Sequence, residues 1–130
     1  MNLSSQSAPP QWKYHPAAYT FLITALELTQ RRLGRRSTEE GSDEGAHISG
    51  QELLEGVRKL ALDQFGLMTL AVFKSWGIRS TVDIGHMVFE MVERGEMRKT
   101  DRDTLADFSD IYRFDQAFDT DYQIDLKHAF

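Results

Sequence analysis

A chain of 130 residues, 41% hydrophobic and 27% charged, has the make-up of one globular domain and can bury roughly two-thirds of its unfolded surface. It has no cysteine, which excludes disulfides and thiolate metal sites, and its apolar runs fall far short of the ~20 residues of a membrane-spanning helix. A net charge of -5 argues against general affinity for nucleic acid or anionic lipid, so the expectation is a cytoplasmic protein without membrane association.

Residues 1–11 are rich in Ser and Pro and lack the basic start and apolar stretch of a secretory leader; they predict a disordered N-terminal segment. Order is expected from Trp12 and Tyr14, whose rings need cover. Pro16 suits the first turn of a helix, where a missing N–H costs nothing. The first helix is predicted from about Ala17 to Leu33, with Phe21, Leu22, Ala25, Leu26, Leu28 and Leu33 on one broad apolar face and Gly34 as its stop. Arg31, Arg32, Arg35 and Arg36 cluster at its end, where cations complement the helix dipole. Residues 37–46 are acidic and hold no large apolar side chain, which predicts a flexible loop.

His47-Ile-Ser-Gly-Gln-Glu-Leu-Leu54 spells a helix start. Ser49 and Glu52 are spaced as a capping box, and Ile48 with Leu53 occupy the positions of a hydrophobic staple. The second helix then spans Gly50 to Gln64, with Leu53, Leu54, Val57, Leu60, Ala61 and Phe65 as its core stripe. A third runs from Leu67 to Trp76, presenting Leu70, Phe73 and Trp76; Gly77 followed by Ile78 is the signature of a Schellman stop. Ser80 and Asp83 open a fourth helix whose inward face is Ile84, Met87, Val88, Met91 and Val92, closed by Gly95. Gly85 inside it costs about 1 kcal/mol against alanine, which points to close approach of a neighbouring backbone. Further on, Asp103 reads as a cap and Thr104 to Tyr112 as a short helix. Residues 113–130 form an aromatic and acidic tail in which Tyr122, Ile124 and Leu126 alternate as in a strand or extended arm.

The fold class is therefore mainly α: a single small helical domain over residues 12–112, with an irregular or short-stranded tail. The third and fourth helices have the proportions of a helix-turn-helix, and Glu96 to Thr100 as a strand would complete a winged-helix-like arrangement. A reading helix wants outward Arg, Lys, Asn or Gln near its start. Here the outward residues are Thr81, Asp83, His86, Glu90, Glu93 and Arg94, mostly acidic.

Asp83, His86 and Glu90 stack at i, i+3 and i+7 and are suitable ligand types for zinc or iron, but no other segment supplies a matching pair. The simpler reading is a solvated polar face. The arginine cluster Arg31, Arg32, Arg35 and Arg36 could contact phosphate, or pair with Glu39, Glu40, Asp43 and Glu44 downstream. Phe89 lies off the apolar stripe, so its helix is either covered on two sides or presents that ring to a partner. There is no nucleophile elbow and no phosphate-binding glycine loop, so neither a catalytic residue nor a cofactor is assigned.

Taken together, His47 to Leu54, Phe65-Gly66, Trp76-Gly-Ile-Arg-Ser-Thr81, Asp83-Ile-Gly85 and Val88-Phe89 resemble a family of small bacterial proteins with no assigned activity. The likeness extends over about residues 14–118, through Ala18-Tyr19-Thr-Phe21 and Asp107-Phe108 to Phe118. It implies a free-standing bacterial domain and carries no functional residue with it. The expected function is a non-catalytic protein-interaction or regulatory module. The alternative is a winged-helix-type nucleic-acid binder working through the arginine cluster or Arg79, and a metal-dependent enzyme comes third.

Overall fold

A computed structural model describes residues 12–35, 47–100 and 102–120. The segments 1–11 and 37–46, Arg36, and the alternating residues Tyr122, Ile124 and Leu126 lie outside the described residues. The described chain forms four α-helices: α1 (Pro16–Arg32), α2 (Gly50–Phe65), α3 (Thr69–Trp76) and α4 (Thr81–Glu93). A 3-10 turn, Gly66–Met68, joins α2 to α3; a second covers Leu105–Phe108, and a π turn covers Gln116–Thr120. No described residue is in a strand, and no described helix is long and apolar enough to cross a membrane.

The helix ends follow their local chemistry. At the start of α2 the Glu52 N–H donates to Ser49 Oγ at 3.1 Å while the Ser49 N–H donates to Glu52 Oε1 at 3.0 Å, a complete capping box. Ile48 and Leu53, the staple residues, are both fully buried. At the end of α3 the Ile78 N–H donates to the Phe73 carbonyl (2.9 Å) and the Gly77 N–H to that of Lys74 (3.1 Å). Gly77 sits at φ 90°, in the left-handed region that this Schellman turn requires. At α1 the cap is His15, whose Nδ1 accepts from the Ala17 N–H at 3.0 Å.

Helices α1 and α2 pack antiparallel, Thr29 and Ala25 lying against Gly56 while Phe21 stacks on Phe65. A Cβ on Gly56 would stand 1.9 Å from Thr29 Oγ1, so the crossing distance depends on that glycine. Across this pair lies α3. Its Phe73 is fully buried and touches the rings of Phe21, Trp76, Phe114 and Phe118, with centroids 5.4–6.0 Å apart. Phe114, Ala117 and Phe118 are thus core residues, and the packed unit extends through Phe118 instead of stopping at Tyr112.

Phe108 wedges between α2 and α4. A Cβ on Gly85 would stand 2.7 Å from this side chain and one on Gly50 2.9 Å from its ring, so the close approach at Gly85 is made by an aromatic ring and not by a backbone. Thr81 Oγ1 locks the wedge by donating to the Phe108 carbonyl at 2.6 Å.

Several sequence expectations are corrected. Leu28, Leu33 and Leu70 are surface residues, because the neighbouring helices cover only part of each apolar face. The predicted helix Thr104–Tyr112 is reduced to one 3-10 turn, since the chain must bend there to deliver Phe108 inward and Tyr112 to the Leu54 carbonyl (2.8 Å). Asp103 caps the preceding turn instead, accepting from the Thr100 N–H at 2.9 Å, and Asp107 takes the helix-start role by accepting from Thr104 N–H at 3.0 Å. Glu96 to Thr100 forms no strand, so the wing of a winged helix is not present there.

Candidate functional site

The row Asp83, His86, Glu90 on α4 is not simply wet. The segment Trp12–Tyr19 lies along it. Asp83 accepts from the Tyr14 hydroxyl (2.7 Å) and from the backbone N–H groups of Arg79 (2.8 Å) and Ser80 (3.1 Å). Glu90 accepts a short hydrogen bond from the Tyr19 hydroxyl and another from the Lys13 N–H at 3.2 Å. The Arg94 guanidinium reaches Glu90 at 3.9 Å and lies over the Trp12 ring, 4.5 Å from its centroid. Burial first, then the hydrogen bonds to Asp83 and Glu90, push the Tyr14 and Tyr19 phenols well above their usual range. Both carboxylates are therefore held by donors of this chain. Among the described residues, no three His, Asp or Glu side chains converge as ligands for a metal ion would.

The same packing removes α4 as a surface reading helix. From Thr81 to Val92 no residue is exposed: Thr81, expected to face outward, is buried, and only Glu93 of the helix is open to solvent. Phe89 is half-buried, edge-on to Phe108 at 6.3 Å with the Lys99 ammonium 5.8 Å from its ring centre, so α4 is covered on two sides. The arginine cluster divides. Arg31 and Arg32 are exposed at the end of α1. Arg35 instead ion-pairs with Glu52 and donates to the His47 carbonyl at 3.2 Å, which ties the end of α1 to the start of α2. The Arg35 guanidinium, helped by the Ser49 cap, holds the Glu52 carboxyl below its usual range. Arg36 and the acidic residues downstream of it lie outside the described residues.

One concavity was not anticipated from the sequence. A groove of about 680 Å³ opens where α3 turns into α4, between that turn and the stretch Asp110–Asp115. Its floor is apolar: Leu70, Ile78, Tyr112 and Phe114. Its rim carries Lys74, Arg79 and Arg113 against Asp110 and Asp115. Arg113 and Asp115 pair with each other at 2.9 Å. Lys74, Arg79 and Asp110 have no side-chain hydrogen bond or ion pair among the described residues. Exposed apolar side chains lie close to the groove in the chain. Leu67 and Met68 are 54% and 61% exposed, and Leu67, Leu70 and Lys74 follow one another at helical spacing. Ile111, between the lining residues Asp110 and Tyr112, is also exposed.

The signal that could have exposed this site was the apolar run Leu67-Met68 followed by Leu70, which one short helix cannot bury on a single face. What hid it was the assumption that apolar residues of α3 point inward. No family model, no curated relative and no solved structure matches the chain.

Proposed function

We propose that this chain is a non-catalytic protein-interaction or regulatory module that engages its partner through the groove beside α3. The observation that carries this reading is an open groove with an apolar lining that includes exposed Leu70, follows directly on exposed Leu67 and Met68 in the chain, and carries Lys74 and Arg79 without a side-chain partner among the described residues. Clustered exposed apolar residues next to free charge are costly to leave in water and are the usual make-up of an interface core with its polar rim. The absence of cysteine is in keeping with the cytoplasm as its compartment.

The test uses the full chain as bait. A defined partner should be recovered by the native protein and by Arg31→Glu/Arg32→Glu, and lost with Leu67→Glu/Met68→Glu/Leu70→Glu. Equal recovery by both variants, or none by any form, would sink the proposal.

Nucleic-acid binding through Arg31, Arg32 or Arg79 is the weaker reading, because the helix that would enter a groove of DNA is covered by Trp12–Tyr19 and Phe108. Oligonucleotide affinity falling steeply with salt would favour it.

A further inference from the structure

We infer that the occupant of the α3 groove is an acidic peptide segment carrying a large apolar side chain. The inference rests on the interaction reading above and adds the chemistry of the partner.

Three features of the groove converge on that occupant. Its shape is concave, so it fits an inserted side chain or turn better than a second copy of the same hollow face. Its lining side chains Leu70, Ile78 and Phe114 offer apolar contact, and the Tyr112 hydroxyl already donates to the Leu54 carbonyl, while Ser80 and the charged residues supply the polar part. Among the described residues its unpaired charges are Lys74 and Arg79 against Asp110 alone, since Arg113 and Asp115 satisfy each other. In a chain of net charge -5 this is a local excess of positive charge around an apolar hollow. Lys74 and Arg79 flank the floor at the last turn of α3 and at the turn into α4, so carboxylates on either side of an inserted Leu, Phe or Trp could meet both. Asp110 opposes such a ligand, and that gives the inference a second, opposite handle.

A library of random peptides displayed on phage is panned against the immobilised full-length protein. The enriched peptides are then synthesised with fluorescein and titrated by anisotropy. The expected enrichment is for Asp or Glu flanking Leu, Phe or Trp. Lys74→Glu/Arg79→Glu should weaken those peptides by on the order of tenfold or more, and Asp110→Asn should tighten them. Both replacements sit on exposed side chains, and the circular dichroism of each variant checks that it is folded. Amide shifts confined to residues 70–80 and 110–115 on peptide addition would place the peptide in the groove even if a variant failed to fold.

Enrichment of neutral or basic peptides that are lost with Leu70→Glu would overturn the acidic assignment and leave the interaction reading standing. Absence of enrichment, indifference to Lys74→Glu/Arg79→Glu, or sedimentation as a dimer broken by Leu70→Glu would each overturn the inference.

Discussion

Along the Trp12–Tyr19 edge of α4, Asp83 is met by Tyr14 and two backbone N–H groups, and Glu90 by Tyr19, Lys13 and Arg94. Beside α3, Lys74, Arg79 and Asp110 meet nothing of the described chain. The two regions join at Arg79, whose backbone N–H is bound to Asp83 while its guanidinium has no partner among the described residues. A carboxylate taken partly out of water must be matched or it destabilises the fold, whereas a cation on an open rim stays hydrated and leaves stability almost untouched. Polar groups of the first kind hold the domain together. Those of the second kind remain available to a ligand.

The comparison breaks if the matched side of α4 turns out not to be structural. The largest effect is expected on its far flank, where Phe108→Ala should cost about 3–5 kcal/mol in urea unfolding, because the ring fills the space between Gly50 and Gly85. Gly85→Ala sets two effects against each other. Helix propensity gains about 1 kcal/mol, overpacking against Phe108 costs about 1–3 kcal/mol, and a net loss is expected from the 2.7 Å approach. Next comes Asp83→Ala, which leaves Tyr14 and two N–H groups without their acceptor and should cost about 2 kcal/mol, the size of lost hydrogen bonds to a charged group. A loss below about 0.5 kcal/mol would mean that water replaces these contacts freely.

Alkaline pH probes the same edge. Tyr14, Tyr19 and Tyr112 all have phenols raised in the folded state, chiefly by burial. Their neutral forms therefore contribute stability that is complete below about pH 10 and is lost as pH rises further toward their folded values. Tyrosinate absorbance should accordingly lag for these residues and appear together with loss of helical circular dichroism. Smooth titration near pH 10 with the helices intact would contradict the packing. The smallest effect sharpens the contrast: Lys74→Ala and Arg79→Ala should each change stability by less than about 0.5 kcal/mol.

Local features were legible in the sequence. Ser49 with Glu52, and Gly77 with Ile78, act through hydrogen bonds spanning three to five residues, so the residue types alone specify them. The inward faces of α2 and α4 were equally clear, because Leu53, Val57, Ile84 and Val88 repeat at helical period and are all buried. The groove was not legible, because it is made by the α3–α4 turn and the stretch Asp110–Asp115, which carry no shared pattern.

What the chain determined by itself is the set of helices, their caps and most of the core, since propensity, capping and periodicity are properties of short stretches. Tertiary structure alone decided that Tyr14 and Tyr19 would clasp carboxylates 69 and 71 residues away. It also decided that Phe108 would occupy the space left by Gly85, and that Leu70 would face outward while Phe73 filled the centre. The physical reason is that a helix carries more apolar surface than one neighbour can cover, and only the assembled packing chooses which part stays in water.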